Sequence, residues 1–212
     1  IYRFVDGNWS YHSSVHRPST GLVEFGAAIA INDQHLVIGQ PSRNKVYFYS
    51  LANDTWTLVQ EVTGPNARAC GNALDLEGDR VVVGDPESAY LDEDNLPRYG
   101  SASVFGSVNG TWLHQATLEV FMPSFKLDGS LDSSQNAGFG NSVDLDSDFI
   151  VVGAPGFCVY PGQWLQPINQ VGAVFVFDLQ GEIHAPIQIV PDPTAEFARY
   201  GSGVAIADDR IV

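Results

Sequence analysis

One sequence motif occurs four times in this chain of 212 residues. Its copies begin at Phe25, Cys70, Phe139 and Tyr200, and they read "FGAAIAINDQHLVIGQP", "CGNALDLEGDRVVVGDP", "FGNSVDLDSDFIVVGAP" and "YGSGVAIADDRIV". The copies align without gaps over their common length, whereas the segments between them differ in length. A repeated motif with variable spacing predicts a constant structural unit that carries variable loops.

Each copy of the motif predicts a β-hairpin. In the third copy, residues alternate from Ser142 to Leu145, a short polar turn follows, and an unbroken apolar run leads to Pro155. Alternation is typical of a half-covered strand, and a continuous β-branched run is typical of a strand covered on both faces. Because proline lacks the N–H donor, we expect Pro41, Pro86 and Pro155 to end the second strands.

A second hairpin is predicted after each complete copy. Its first strand reads "KVYFYSL", "SASVFGSV" or "GAVFVFDL", and its second reads "WTLVQEV", "WLHQATL" or "IHAPIQI". The Asn109-Gly110 pair between two of these strands is a strong hairpin signal, since both residues tolerate positive φ. Each unit therefore predicts four antiparallel strands, a to d in chain order, which is typical of a propeller blade.

This pattern predicts an all-β chain that forms a β-propeller of four-stranded antiparallel blades in a single domain, 1–212. Residues 1–24 supply strands c and d of one blade, 25–69, 70–138 and 139–199 form three full blades, and 200–212 supply strands a and b. The partial blades at the two ends favour a section of a larger ring. A closed four-bladed ring, made by pairing the two ends, is the alternative.

The phrases "FG…VIGQP", "FG…VVGAP" and "GAVFVF" resemble the FG-GAP repeats of integrin α propellers, in a short-turn variant found in secreted and surface proteins. The resemblance covers nearly the whole chain, although two copies replace the Phe of the Phe-Gly pair. Trp9, Trp56 and Trp112 match the tryptophan that follows the c–d turn, and Ile183 departs from it. The resemblance implies a propeller at the cell surface or outside the cell, with its ligand face made by the b–c and d–a loops.

Asp144, Asp146 and Asp148 have the spacing of the first ligands of a calcium loop. Such a loop needs glycine at its sixth position, where this chain has Phe149, and Asp144 lies inside a predicted strand. Calcium-binding FG-GAP repeats also carry a longer loop at this place. We therefore expect a tight hairpin turn, no metal and no cofactor. A calcium site here, or at the acidic segment 91–95, is the alternative.

Antiparallel strand order places the b–c and d–a connections at one edge and the a–b and c–d turns at the other. The connections at the first edge include long segments, and long loops on a rigid scaffold commonly bind ligands. The predicted ligand- or partner-binding residues in them are Tyr90, Arg98, Tyr99, Phe121, Phe125, Phe157, Tyr160 and Trp164. The alternative is that these side chains pack beneath their own loops.

Asn-x-Ser/Thr acceptors begin at Asn8, Asn53 and Asn109, all at predicted c–d turns. They predict N-glycosylation and a secreted protein, although turns also favour asparagine for conformational reasons. Cys70 and Cys158 belong to the loop edge of adjacent blades. They predict a disulfide in an oxidising compartment, and two free thiols are the alternative.

The net charge of −15 argues against nucleic acid or membrane surfaces as partners, since both are anionic. No apolar run is long enough for a membrane helix, and no known catalytic motif is present. The sequence favours a non-enzymatic extracellular protein that binds a protein or glycan ligand in adhesion or recognition. The alternative is a structural subunit of a surface, cell-wall or filament assembly that contacts sister subunits. An enzyme ranks last.

Overall fold

The computed structural model describes residues 1–16, 18, 24–64, 69–91, 97–120, 137–158, 170–180, 186–190, 197–207 and 210–212, without the side chains of 89–91, 97 and 98. The strands found there are β1 (Tyr2–Val5), β2 (Asn8–Tyr11), β3 (Ile29–Ile31), β4 (His35–Gln40), β5 (Lys45–Ala52), β6 (Thr55–Thr63), β7 (Ala73–Glu77), β8 (Arg80–Leu91), β9 (Pro97–Val108), β10 (Thr111–Leu118), β11 (Ser142–Leu145), β12 (Phe149–Ala154), β13 (Ala173–Asp178), β14 (Ile187–Ile189), β15 (Ile206–Ala207) and β16 (Arg210–Ile211). The helical structure in these ranges is one 3-10 turn, Pro41–Arg43. No helix in this part of the chain is long and apolar enough to cross a membrane.

The strands form three four-stranded antiparallel sheets and two separate hairpins within the described residues. Sheet I has the order β3-β4-β5-β6, sheet II β7-β8-β9-β10 and sheet III β11-β12-β13-β14, so each follows chain order. The N-terminal hairpin is β1-β2, and the C-terminal hairpin is β15-β16. The prediction of an all-β chain with repeated four-stranded antiparallel sheets is therefore confirmed. In the described residues these hairpins do not pair with each other, and no sheet is closed.

One hairpin is longer than the sequence predicts. Pro86 does not end the second strand of sheet II, because β8 continues to Leu91 and pairs with β9 beyond a register shift between Asp85 and Ala89. A bulge tolerates proline because the local ladder is already interrupted there. The predicted long b–c loop of this unit is thus mostly strand, and its connection shortens to 92–96.

Apolar residues of each sheet divide between two interfaces because side chains alternate along a strand. Val81 and Val83 point into the core shared with sheet I, where Phe48 and Trp112 stack at 4.9 Å. Val82, between them, points into the core shared with sheet III. The continuous apolar runs are therefore explained by burial on both faces, as predicted.

The glycines of the repeat bring consecutive sheets into close contact. Gly39, Gly84 and Gly153, near the ends of the second strands, face Gly71, Gly140 and Gly201 of the next unit. A Cβ on Gly153 would lie 2.0 Å from the carbonyl oxygen of Gly201. The glycines at the second position of the second, third and fourth motif copies thus allow close backbone approach, whereas a Cβ on Gly26 would have only Ile29 Cδ1 near it, at 3.7 Å. Each such contact joins the second strand of one unit to the start of the following one.

Candidate functional site

The ends of the sheets form two rims. The turn rim contains the tight turns at 32–34, 53–54, 78–79, 109–110 and 146–148. The loop rim, at the opposite strand ends, contains 41–44, 86–88, 155–158, 170–172 and 197–201. In sheets I and II, Asn53 and Asn109 therefore lie at the strand ends opposite to those at which the second and third strands are joined.

The residues predicted to bind a ligand do not all lie in loops. Tyr90, Arg98 and Tyr99 belong to the extended β8–β9 hairpin, in which Tyr90 pairs with Arg98 and Tyr99 is half-buried. This corrects the loop placement of those three residues. Phe157 is also half-buried, and its ring contacts Phe175 edge-on at 6.2 Å, so it contributes to the core between sheets II and III.

The remaining predicted ligand residues fall outside the described part of the chain. They are Phe121, Phe125, Tyr160 and Trp164. The side chains of Tyr90 and Arg98 also lie outside it. The part of the loop rim that can be analysed therefore rests on other residues.

The acceptor asparagines are exposed. Asn53 and Asn109 occupy the same position in the third turns of sheets I and II, with φ of 47° and 52°. Asn8 begins β2 and is exposed as well. Asp54, inside the Asn53 acceptor sequence, forms an ion pair with Arg3 of the N-terminal hairpin. N-glycosylation at these three residues stays a prediction, and their accessibility is compatible with it.

A polar cleft opens on the loop rim between sheets II and III. Its volume is about 270 Å³, and its polar lining comes from Asn72, Glu87, Asn141, Gln170 and Arg199. The rest of the wall is formed by Pro86, Gly138, Pro155 and Gly156. Two neighbouring repeats, 70–138 and 139–199, thus contribute to one concave site.

Two residues of this cleft have unusual backbone conformations. Gln170 and Arg199 have φ of 47° and 53°, and the Arg199 N–H donates to the Gln170 carbonyl at 2.9 Å. The hydroxyl of Ser202 donates to the Arg199 carbonyl at 2.7 Å. A left-handed backbone is unfavourable for glutamine and for arginine. These hydrogen bonds stabilise that conformation, which places both residues at the cleft.

The asparagines of the cleft form a chain of hydrogen bonds between units. Asn72 Nδ2 donates to the Asn141 carbonyl at 3.4 Å, and Asn141 Nδ2 donates to the Ser202 carbonyl at 3.1 Å. These bonds fix which way each carboxamide points. The Oδ1 atoms of both residues remain as hydrogen-bond acceptors.

A second cleft, of about 440 Å³, lies on the turn rim between the same two sheets. Its charged lining is Glu77, Asp79, Arg80 and Asp146. Asp79 bonds His35 of sheet I at 2.9 Å, and Asp146 Oδ1 accepts the N–H groups of residues 148 and 149 at 2.9 and 2.8 Å. Two of its carboxylates are therefore engaged in contacts within the fold.

The acidic triplet at 144–148 serves three separate contacts. Asp146 closes its own turn, in the same way that Asn32 closes the first turn of sheet I. Asp144 Oδ2 accepts the N–H of Ile206 in the C-terminal hairpin at 2.6 Å. Asp148 is exposed beside Gln180. In the described residues no group of three or more potential ligands is arranged to hold a metal ion.

Asp144 also pairs with the equivalent acid of sheet II. Asp75 Oδ2 accepts the N–H of Leu145 at 2.9 Å, so the two carboxyls lie together between the first strands of neighbouring sheets. The pKa of Asp144 is raised to about 6, with burial as the largest cause; the Ile206 N–H lowers this pKa, and the hydrogen bond and charge of Asp75 raise it. One proton shared between two carboxyls stabilises such a pair.

The predicted disulfide between Cys70 and Cys158 is not formed, and both are free thiols. Cys70 is buried between sheets I and II, where its N–H donates to Asn44 Oδ1 at 3.2 Å. Cys158 belongs to sheet III, and its Sγ lies 3.5 Å from the Gly156 carbonyl oxygen. Burial, with the charge of Asp85, raises the pKa of Cys70 to about 12, so its thiol stays protonated.

Sequence reasoning missed the residues that line the loop-rim cleft. The asparagine at the third position of the second and third motif copies was a signal, because it recurs at Asn72 and Asn141. Nothing in the sequence indicates that Arg199 has a left-handed backbone. The cleft offers one cation, one carboxylate and several amides, which suits a polar ligand bound by hydrogen bonds. No protein-family model matches this chain, and no curated protein matches it.

Proposed function

We propose that this chain is a non-enzymatic β-propeller domain, or part of one, that acts outside the cell in adhesion or ligand binding. The observation that carries the proposal is the difference between the two rims. The turn rim presents exposed N-glycosylation acceptors, Asn53 and Asn109, at equivalent places in consecutive sheets. The loop rim presents a concave polar site built by two neighbouring repeats.

The propeller interpretation is supported by the repeated contacts between sheets. Parallel bridges join Gly100 to Phe139 and Gly172 to Tyr200, each linking the region where the third strand of one unit begins to the first residue of the next motif copy. The first strands β3, β7 and β11 are neighbours in space. These repeated contacts support the propeller interpretation, because consecutive propeller blades also lie side by side with their first strands innermost.

The proposal is tested by blocking each rim with a glycan. The full chain, secreted from eukaryotic cells, is screened against immobilised extracellular proteins and an array of glycans. Replacement of Glu87 with Asn together with Ala89→Thr creates an Asn-x-Thr acceptor on the loop rim. Glycosylation there should abolish binding, and removal of all glycans by an N-glycosidase, which leaves a carboxylate at position 87 in place of that of Glu87, should restore it.

The natural acceptors supply the control, because sugars on the turn rim should leave binding unchanged. Binding that survives the loop-rim glycan would refute the assignment of the ligand to that rim. A chain that binds nothing in either screen, or whose natural acceptors carry no glycan after secretion, would count against the extracellular recognition role.

The N-terminal hairpin favours a second candidate, a structural subunit of a surface assembly. Tyr2, Phe4, Trp9 and Tyr11 share one face of this hairpin and are 61–71% exposed. Exposed aromatic clusters of this kind commonly mark protein interfaces. If this role is right, the chain associates at micromolar concentration, and Phe4→Ser with Trp9→Ser returns it to monomer in sedimentation analysis. A monomer before substitution argues for the first candidate.

A further inference from the structure

The cleft on the loop rim contains an arginine in a position that the fold itself would fill better with glycine. Arg199 directly precedes the aromatic-Gly pair of its motif copy, and Gly138 holds the equivalent place in the preceding copy. Both have positive φ, 64° at Gly138 and 53° at Arg199. Arginine in the left-handed conformation costs conformational free energy that glycine does not cost. The backbone therefore does not explain why an arginine occurs at position 199, and we attribute its presence to the side chain.

The functional groups around Arg199 are matched to hydroxyl groups. The Oδ1 atoms of Asn72 and Asn141 can only accept hydrogen bonds, as can the carboxylate of Glu87, and the guanidinium of Arg199 can only donate them. Gln170 offers both kinds of group. A ligand with several adjacent hydroxyls satisfies such a mixture, because each hydroxyl both donates and accepts.

The charges of the cleft exclude ligands that carry a full charge of one sign. A carboxylate that approaches Arg199 meets Glu87 and the net charge of −15 of the chain, and an ammonium group meets Arg199. The cleft of about 270 Å³ is also slightly smaller than pockets for drug-sized molecules.

We propose that this cleft binds a neutral pyranose sugar residue through the hydrogen-bonding groups of Asn72, Glu87, Asn141, Gln170 and Arg199. This inference rests on the proposed function, since it gives the ligand of the loop rim a chemical class. The asparagine oxygens and the Glu87 carboxylate accept from adjacent hydroxyls. Arg199 donates to hydroxyl oxygens of the same sugar residue.

The test uses the full chain and methyl glycosides of glucose, galactose and mannose as probes, followed by ¹H–¹⁵N correlation NMR. At least one neutral glycoside should shift the side-chain amide resonances of Asn72 and Asn141 and the Nε–H resonance of Arg199. Replacement of Arg199→Gly should weaken that binding by about ten- to hundredfold, because hydrogen bonds from a charged donor are lost. Its melting temperature should stay equal or rise, since glycine relieves the left-handed backbone.

Two controls separate the cleft from the rest of the surface. Arg80→Gln removes the same charge from the turn-rim cleft and should leave the affinity unchanged. Glucuronate should bind more weakly than the neutral glycoside, and an acidic peptide should not compete. Tighter binding of glucuronate, effective competition by the peptide, or an unchanged affinity in Arg199→Gly would overturn the proposal.

Failure of the sugar site can be distinguished from failure of the proposed extracellular binding function. If the chain still binds an array glycan or a protein through the loop rim while none of the neutral glycosides shifts the cleft resonances, the sugar site is refuted and the recognition role stands. If the loop-rim glycan has no effect and the cleft resonances do shift, the sugar site stands and the wider role fails.

Discussion

The carboxyl pair of Asp75 and Asp144 predicts an unusual dependence of stability on pH. The pKa of Asp144 is raised by burial from 3.8 to about 6 in the folded chain. The folded state therefore holds this proton more tightly than the unfolded state does. Its stabilising contribution is complete below about pH 3.8 and is lost as the pH rises through about 6. The full shift corresponds to about 3 kcal/mol, and solvent screening of this partly exposed group reduces the expected effect to about 1–2 kcal/mol.

Asp144→Asn should remove this dependence while it keeps the local contacts. The Asn oxygen can accept the Ile206 N–H, and its amide can donate to Asp75, which reproduces the protonated state at every pH. The measurement is the free energy of unfolding in urea at pH 4 and pH 7. Between these values the wild type should lose about 1–2 kcal/mol more than Asp144→Asn does.

Asp148→Asn is the matched control for loss of one negative charge from the same hairpin. Asp148 is exposed, so its removal should leave the difference between pH 4 and pH 7 as in the wild type. The other carboxyls contribute equally to the pH dependence of unfolding in every variant, so their contribution cancels when the variants are compared. Equal losses in the wild type and in Asp144→Asn would show that the pair shares no proton and would refute this reasoning.

Three further predictions concern packing, thiol chemistry and glycosylation. Gly153→Ala should lower the free energy of unfolding by about 1–3 kcal/mol, because a Cβ there meets a carbonyl of the next unit. Gly203→Ala is the control, since a Cβ at that position has nothing within 4 Å, and it should have little effect in the same urea titration. A thiol reagent should modify the half-buried Cys158 in the native protein and Cys70 only after unfolding, so rapid reaction of both would contradict the burial of Cys70. Thr111→Val removes the acceptor sequence of the β9–β10 turn and should lower the mass of the protein secreted from eukaryotic cells by one glycan, and an unchanged mass would show that this site is not used.

Local patterns in the sequence were sufficient to predict the sheets. The alternation, the apolar runs and the Asn109-Gly110 turn act over a few residues, and each strand of the three sheets lies where such a pattern occurs. The Asp146 turn is similar, because a short polar side chain caps the two N–H groups that follow it. Hence the second half of the acidic triplet was also predictable as a turn.

Contacts between sheets could not be predicted in the same way. His35 and Asp79 are 44 residues apart, and their bond also requires the ring of Trp112, which packs on His35 at 5.0 Å. Trp9 and Trp112 occupy the same repeat position, yet they are 71% and 2% exposed. Their burial depends on which sheet lies beside them, and the repeat pattern contains no information about that neighbour.

The extension of β8 past Pro86 shows how a buried acid can override a local signal. Asp85 is 3% exposed, and its Oδ1 accepts the N–H of Ala69 at 3.1 Å, at the start of the same unit. Two residues after the proline, Ser88 bonds Ser101 of β9 at 3.0 Å, on the far side of the bulge. The ladder is interrupted over residues 86–88, and these side-chain bonds lie on the two sides of the proline, where pairing stops and resumes.

The junctions between units are chemically different versions of one geometry. In the second and third units a glycine with positive φ, Gly100 or Gly172, starts the third strand and bridges to the aromatic of the next motif copy. In the first unit Asn44 replaces it, also left-handed, with φ of 57°. Its side chain replaces the backbone bridge, since Oδ1 accepts the N–H of Cys70 and Nδ2 donates to the Gly64 carbonyl at 2.8 Å. What repeats along this chain is therefore the close approach of neighbouring backbones, and either glycine or a bridging amide can provide it. Asn44→Gly tests this equivalence, because it should retain the junction's backbone conformation but lose two side-chain hydrogen bonds, at a cost of about 1–3 kcal/mol in unfolding free energy.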